Sequence, residues 1–433
     1  MIPYPASHKW RVLHFSWIAF CWTFFAWFAF PPLAVLAQAD IGFSDAQFGW
    51  LATLGVALTV PGRVFVGRLV DRFGPRVVYS VLLAVAAVPV ALLGTAQTFG
   101  QLAALRLCIG LVGCGFVVGI RMIADWFPPR QLGLVQGIYG GWGNAGSALA
   151  ALLLPGAALL FGWRVALSLA AVPLLVWAVV YWFGVSDVPA GRVFRRRPIE
   201  SSYSPWKDRA TMTLALVYLA TFGSELCVIA FLPKLFYDRF GMSIFMAGIC
   251  AALFPLMNLV ARPGGGWLAD RFGRKRVLLV ALACAVVAYP LLGAAPTLPL
   301  AVLAVVFAGA SVQAADGAVF ATVPLVSPLD TGRVAGIVGA AGNVGGFLFP
   351  LAFGYGLQWS GGSYSPGFLI VSAAAFIAFA AIWRVSLPDA DSGSSQAGFE
   401  LGLELPRRVR MQGKKRGLSR YLHQTLTERK AVS

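Results

Sequence analysis

The sequence predicts an all-α integral membrane protein in which twelve transmembrane helices form two six-helix halves. Apolar residues make up 59% of the 433-residue chain and charged residues 12%, about half the ~25% of a soluble domain, and mean hydropathy is +0.77. Apolar stretches long enough to cross a bilayer, ~20 residues at a 1.5 Å rise, recur along the whole length. In hydrocarbon these must be helices, because every backbone polar group needs a partner within its own segment. The third observation is a repeat. Arg63 and Arg262, Asp71 and Asp270, and Asn144 and Asn343 are each 199 residues apart. Around them GRLVDRFGPR (67–76) answers GWLADRFGRK (266–275), and GLVQGIYGGWGNAG (133–146) answers GRVAGIVGAAGNVG (332–345).

The predicted helices centre near residues 25, 56, 86, 112, 144, 175, 222, 255, 286, 311, 344 and 376. Residues 1–186 form the N-terminal half. Its first apolar run, 12–37, is too long for a signal-peptide core and has no small-residue cleavage site, so it reads as helix 1. Residues 187–210 form a polar cytoplasmic linker with RVFRRRP (192–198) and SSYSPWKDR (201–209), and 211–387 form the C-terminal half. After Pro388 hydropathy collapses into a basic cytoplasmic tail, 388–433, whose bland reading is a solvated segment drawn to anionic lipid.

The net charge of +17 is distributed for orientation rather than for nucleic acid. In the predicted topology 27 of the 34 Lys and Arg lie on the side of both chain ends, four lie within spans, and only Arg164, Lys234 and Arg239 lie opposite. That asymmetry sets both termini in the cytoplasm of a multi-pass inner-membrane protein. The six cysteines sit in apolar spans without CxxC spacing and read as packed free thiols, neither disulfide frame nor metal site. The three histidines lie near the chain ends, so a histidine proton relay is not expected. No catalytic dyad, nucleotide loop or metal spacing suggests an enzyme or a cofactor.

Seven charged residues fall in or close to spans: Arg63, Arg106, Arg121, Asp125, Glu225, Arg262 and Asp316. A charge at bilayer depth costs from ~2.5 to over 10 kcal/mol, so each needs a partner or a task. Arg121 and Asp125 read as a structural i, i+4 pair or part of a latch, and Arg106 as an outer-end residue that snorkels. Arg63 and Arg262 each precede the loop aspartate by eight residues, ~12 Å along a helix, with no acid within four positions on the same helix. Two such guanidiniums facing one cavity repel unless an anion sits between them, and their planar forks match a planar oxyanion. The competing reading is two separate interhelical salt bridges. Asn144 and Asn343 lie in glycine-dense stretches whose small residues let helices approach and slide. An amide there needs partners and can donate to an oxyanion without adding charge. In the repeated loop motif, Asp71 and Asp270 can latch the cytoplasmic side, with Arg68, Arg72, Arg76, Arg271, Arg274 and Lys275 as positive counterparts. Gly67, Gly74, Gly266 and Gly273 are expected to permit the tight turn.

The two-half repeat and the loop motif resemble the major facilitator superfamily. Within it, GGWGNAG (140–146) and GAAGNVGG (339–346) resemble the paired signature of the nitrate/nitrite porters. YLATFGSE (218–225), FYDRFGMS (236–243), ARPGGGWLADRFG (261–273) and QAADGAVF (313–320) are similar to that family as well, so the resemblance runs over residues 20–385. It implies that Arg63 and Arg262 clamp nitrate between the halves and that Phe116, Tyr218 and Phe222 sandwich the planar anion. On residue type alone those three are ordinary core aromatics.

Glu225 and Asp316 bear on coupling. Family members that only exchange nitrate for nitrite tend to lack cavity acids, whereas acidic versions resemble the proton-coupled members. A desolvated carboxylate takes up a proton more readily, and an anion moving against a negative-inside potential needs more than one proton. The alternative is Asp316 as a permanent partner of Arg262. The expected function is therefore uptake of nitrate, with nitrite a second cargo, by alternating access and proton symport, one chain forming the transport unit. Open alternatives are nitrate/nitrite exchange without protons, a non-transporting nitrate receptor, or a carrier of another small anion.

Overall fold

The computed structural model describes residues 6–127, 131–188, 204–327 and 330–388. Most of the linker, the loop residues 128–130 and 328–329, and the tail from 389 lie outside the described residues. Within them are twelve helices long and apolar enough to cross a membrane. The first half holds α1 (His8–Ile41), α2 (Asp45–Phe73), α3 (Pro75–Thr95), α4 (Phe99–Trp126), α5 (Val135–Phe161) and α6 (Trp163–Gly184). The second holds α7 (Arg209–Phe240), α8 (Ile244–Phe272), α9 (Arg274–Ala294), α10 (Leu298–Val326), α11 (Thr331–Trp359) and α12 (Ser365–Arg384). An even number of spans returns the chain to the face it started from. That face is called the near face below and its opposite the far face. Outward-facing side chains such as Leu160, Phe183 and Trp383 are largely exposed, as a lipid-covered surface requires.

The helices that matter for function are broken, and prolines break them. α2 divides into Asp45–Ala57 and Thr59–Phe73, and α8 into Ile244–Leu256, a 3-10 turn Met257–Leu259, and Ala261–Phe272. Pro61 and Pro263 have no N–H, and each ring pushes against the carbonyl four residues back, at Ala57 and Leu259, where the breaks fall. Regular bonding resumes at Gly62 N to Leu58 O and Gly264 N to Val260 O, both 2.9 Å. Arg63 and Arg262 stand just beyond the two breaks, each 18 residues after the first residue of its helix.

The halves meet tightly toward the far face. A Cβ on Gly49 of α2 would stand 2.7 Å from Pro350 O of α11, so only glycine fits. Beside it Thr53 Oγ1 donates to Phe347 O at 2.8 Å, Trp50 Nε1 to Tyr355 Oη at 3.3 Å, and Ala46 N to Gln358 Oε1 at 3.2 Å. An ion pair closes the far end: Lys234 Nζ of α7 lies 3.3 Å from Asp45 Oδ1 of α2 and 2.7 Å from Asp238 Oδ2, and Tyr364 Oη donates to the same Asp238 oxygen at 2.8 Å. Burial and the neighbouring carboxylate Asp238 raise the Tyr364 hydroxyl's pKa, so it stays a donor.

Two expectations about single charges change. Arg106 does not snorkel. It is 3% exposed, with Nη1 donating to Trp27 O at 2.8 Å and Nε to Leu51 O at 3.1 Å, and it stacks 5.7 Å from the Phe30 ring centre. Regular α-helix stops at Trp27, so the guanidinium satisfies a carbonyl that this helix end leaves open and adds a second bond to the Leu51 carbonyl within helix 2. Lys234, expected beyond the spans, lies inside α7 and is 6% exposed, because two carboxylates neutralise it.

The glycines of the loop motif also divide. Gly74 (φ +83°) and Gly273 (φ +91°) make the turns, and Gly74 leaves space for Asp187, whose Oδ1 accepts from Arg76 N at 3.0 Å. Burial raises the Asp187 carboxyl pKa, and the bond from the Arg76 backbone opposes that. Gly67 and Gly266 sit within regular helix before the turns. They permit no tight turn, contrary to the expectation, since neither has a positive φ.

Candidate functional site

Below the far-face closure the two breaks deliver Arg63 and Arg262 to one small cavity between the halves. Its open volume is about 10 Å³, about that needed by one water. The expected residues Arg63, Arg262, Asn144, Phe116, Tyr218 and Phe222 line it, together with Phe20, Phe24, Trp27, Gly113 and Gly339. Tyr218 and Phe222 stack face to face, centroids 4.9 Å apart at 3°. The α1 aromatics were missed in the sequence. Their only signal is the density of rings in FSWIAFCWTFFAWFAF (15–30), which a buried helix would also show.

The two arginines are held differently. Arg63 Nη1 donates to Gly339 O of α11 at 3.2 Å, its guanidinium lies 5.5 Å from the Phe116 ring centre, and Nε has no protein partner. Among the described residues no carboxylate lies within 4.0 Å of it. Arg262 is buried and densely bonded: Nη2 donates to Tyr218 Oη at 2.9 Å and Nη1 to Asn258 Oδ1 at 3.3 Å. Its phenyl neighbour Phe222 lies 5.9 Å away, centre to guanidinium. The Asn144 amide, oriented by its hydrogen bonds, accepts from Arg262 Nη1 at 2.6 Å and donates to Gly140 O at 3.3 Å. A hydrogen bond therefore crosses between the halves at the cavity.

Asn343, the repeat partner of Asn144, is not among the lining residues. Its Nδ2 donates to Gly339 O at 2.8 Å, the carbonyl that also receives Arg63, and its Oδ1 has no protein partner. It reaches the site through that shared carbonyl.

Glu225 and Asp316 stand behind Arg262 and are fully buried. Arg262 Nη1 is 3.9 Å from Glu225 Oε2 and 3.8 Å from Asp316 Oδ2, at the long limit of an ion pair. Asn258 Nδ2 donates to Glu225 Oε1 at 2.9 Å, and Thr221 Oγ1 to Asp316 Oδ1 at 2.5 Å. The remaining oxygen of each carboxylate has no protein hydrogen bond. The acids have no counterpart in the first half: the positions 199 earlier are Ala26 and Val117. Arginine and asparagine repeat, and acidity does not.

At the near face the motif acids pair within their own halves. Asp71 Oδ1 lies 3.4 Å from Arg121 Nη1, which shares its guanidinium with Asp125 (Nε to Oδ1 3.1 Å), and Asp270 Oδ1 lies 2.6 Å from Arg274 Nη2. Arg72 rests 5.1 Å from the Phe73 ring centre and Arg271 5.4 Å from that of Trp267.

A twelve-helix bundle in two repeated halves, with a small cationic cavity at their junction, is the architecture of a membrane carrier. The sequence profile of the Major Facilitator Superfamily matches residues 16–243 and 214–425. The nitrate/nitrite transporter NrtP of Picosynechococcus sp. is 35% identical over 79% of this chain and 84% of its own. The probable nitrate/nitrite antiporter NarK1 of Thermus thermophilus is 31% identical over 81% and 86%. The fold is shared with a bacterial homolog of the human lysosomal transporter Spinster in an inward-facing, occupied conformation (TM-score 0.71, 18% identity, 88% of this chain and 97% of that one). The chain belongs to the nitrate/nitrite porter family of the major facilitator superfamily.

Proposed function

We propose that this chain carries nitrate, with nitrite as a second cargo, inward across the cytoplasmic membrane by alternating access, coupled to protons held by Glu225 and Asp316. The observation that carries the reading is Arg63: a guanidinium at mid-membrane depth, open to the cavity, with no carboxylate beside it. A buried charge of that kind calls for a mobile counter-ion. The cavity's size favours a small one, its aromatic walls favour a flat one, and the arginine forks favour an oxyanion.

Proton coupling follows from charge balance. Two guanidiniums and two ionised carboxylates sum to zero. A monovalent anion entering a low-dielectric site leaves one negative charge in excess, which one proton on the carboxylate pair removes. The second carboxylate leaves capacity for a further proton, which inward movement against the membrane potential needs. The basic near face, where α1 begins and α12 ends, is cytoplasmic on the positive-inside rule, and the far-face closure is then an inward-facing or occluded stage of the cycle. The motif pairs at Asp71 and Asp270 are intra-half in this stage and are available to latch the near face in the opposite one. One chain contains the whole transport unit.

The exchange reading is favoured by the relative from Thermus thermophilus, named as a probable antiporter. Proteoliposomes separate the two. With acid outside and equal nitrate on both sides, symport accumulates nitrate and Arg63→Lys abolishes accumulation. If nitrate accumulates only when nitrite is loaded inside, and the pH gradient has no effect, exchange replaces symport. Nitrate binding and transport unaffected by Arg63→Lys would overturn the arginine clamp.

A further inference from the structure

Asn258 lies in the broken turn of α8 (Met257–Leu259) and is fully buried. Its side chain faces two ways at once. Oδ1 accepts from Arg262 Nη1 at 3.3 Å, and Nδ2 donates to Glu225 Oε1 at 2.9 Å. A cation on one side and a carboxylate on the other fix the amide's orientation without ambiguity. The direct approach of the two charges is correspondingly long, 3.9 Å from Arg262 Nη1 to Glu225 Oε2, and no hydrogen bond joins them.

We propose that Asn258 is a positioning residue that keeps Glu225 from closing on Arg262, so that the guanidinium stays able to hold an anion while the carboxylate stays able to take a proton. The inference rests on the anion-and-proton reading above. The argument is one of competition. A buried guanidinium and carboxylate free to meet form a bidentate pair through two parallel N–H···O bonds. Such a pair would neutralise Arg262 and occupy the edge it offers to the cavity. A neutral amide between them satisfies one oxygen of Glu225 and one N–H of Arg262 and leaves both charges unspent. Asn258 and Arg262 are four residues apart, a spacing that puts both side chains on one helix face, toward α7 and the cavity. The position 199 residues earlier holds Thr59, whose hydroxyl donates to Gly110 O at 2.7 Å. The first half has no acid to hold apart, and its residue there is spent on backbone.

The ionisable groups that surround Glu225 are Arg262 on α8, Asp316 on α10, Tyr218 and Cys227 on α7, and Tyr289 on α9. Arg63 faces it across the cavity from α2, with Cys114 of α4 and Tyr139 of α5 beside that arginine.

The test is nitrate affinity of the purified full chain, by calorimetry at one pH, for wild type, Asn258→Leu, and Asn258→Leu with Glu225→Gln. Expected for Asn258→Leu is a Kd at least tenfold above wild type, because the Glu225 carboxylate then closes on Arg262. Glu225→Gln in the same chain removes the competing charge and restores the affinity to within about twofold. No loss in Asn258→Leu, or a loss that Glu225→Gln does not restore, overturns the proposal. If Asn258→Leu does not fold, Asn258→Thr, the residue of the matched position, is read the same way against the same outcomes. Wild type failing to bind nitrate at any pH is a separate result and sinks the anion reading instead.

Discussion

Arg262 of the second half and Asn144 of the first share a 2.6 Å hydrogen bond at the wall of the central cavity. The link ties a substrate-facing cation to the opposite half, so any motion separating the halves at this level must break it or replace it with an anion. Asn144 is thus placed to sense occupancy as well as to line the site.

Replacing Asn144 by Asp should therefore do more harm than replacing it by Ala. The carboxylate would pair permanently with Arg262 in the position an anion needs, and nitrate affinity should fall more than 100-fold. The Ala variant loses one hydrogen bond to a charged group, about 1.5–3 kcal/mol, or roughly ten- to 100-fold. Calorimetric binding in detergent measures both. Similar losses for the two variants would refute the pairing argument.

The arginines should differ in what they do for stability. Arg63→Ala removes a cation with one backbone bond and no carboxylate, so melting temperature should hold or rise while nitrate binding disappears. Arg262→Ala strands Glu225 and Asp316 beside each other without a counter-ion. Each ionised carboxylate then opposes folding, so that variant should melt lower than wild type. Thermal melts of the two variants beside wild type compare them.

The far-face closure should be lockable. With Asp45→Cys and Lys234→Cys together, a reducible bis-thiosulfonate cross-linker between the two thiols would hold α2 against α7 and stop uptake in proteoliposomes, and reductant should restore it. Uptake that continues with the cross-link formed would mean that this end does not open during transport.

Arg106→Ala should unfold the first half more readily, because Trp27 O and Leu51 O lose a charged donor in a buried place. A cost of roughly 3 kcal/mol is expected, read as a lower melting temperature. Because Trp27 lines the cavity and its Nε1 donates to Gly55 O beside the same guanidinium, weaker nitrate binding should accompany it.

Gly67→Ala should be neutral or stabilising by up to ~1 kcal/mol, since nothing lies within 4 Å of the added methyl and the backbone is helical. Gly74→Ala should destabilise, its Cβ being forced to φ +83° and to within 2.6 Å of Asp187 Oδ2. Melts of the two variants side by side decide whether the motif's first glycine has any role in the turn.

Fold class, helix count and the paired depth of Arg63 and Arg262 were legible in the chain because hydrocarbon permits one backbone solution and because a repeat at fixed offset doubles every signal. Pattern and composition suffice for both. The Arg121–Asp125 pair and the approach of Asp316 to Arg262 were legible too, whereas the pairing of Lys234 with Asp45 and of Asp71 with Arg121 was not. Asn258, Thr221 and the α1 aromatics carry no spacing that marks them, and Asn343 looked equivalent to Asn144 although its amide is spent on Gly339 O. The same limit explains Arg106, whose carbonyl partners lie on helices 1 and 2, and Lys234, whose second carboxylate, Asp45, lies on another helix. Burial of a charge can be read along one helix, but its compensation comes from whatever the neighbouring helices present at that depth, and only packing in three dimensions decides that.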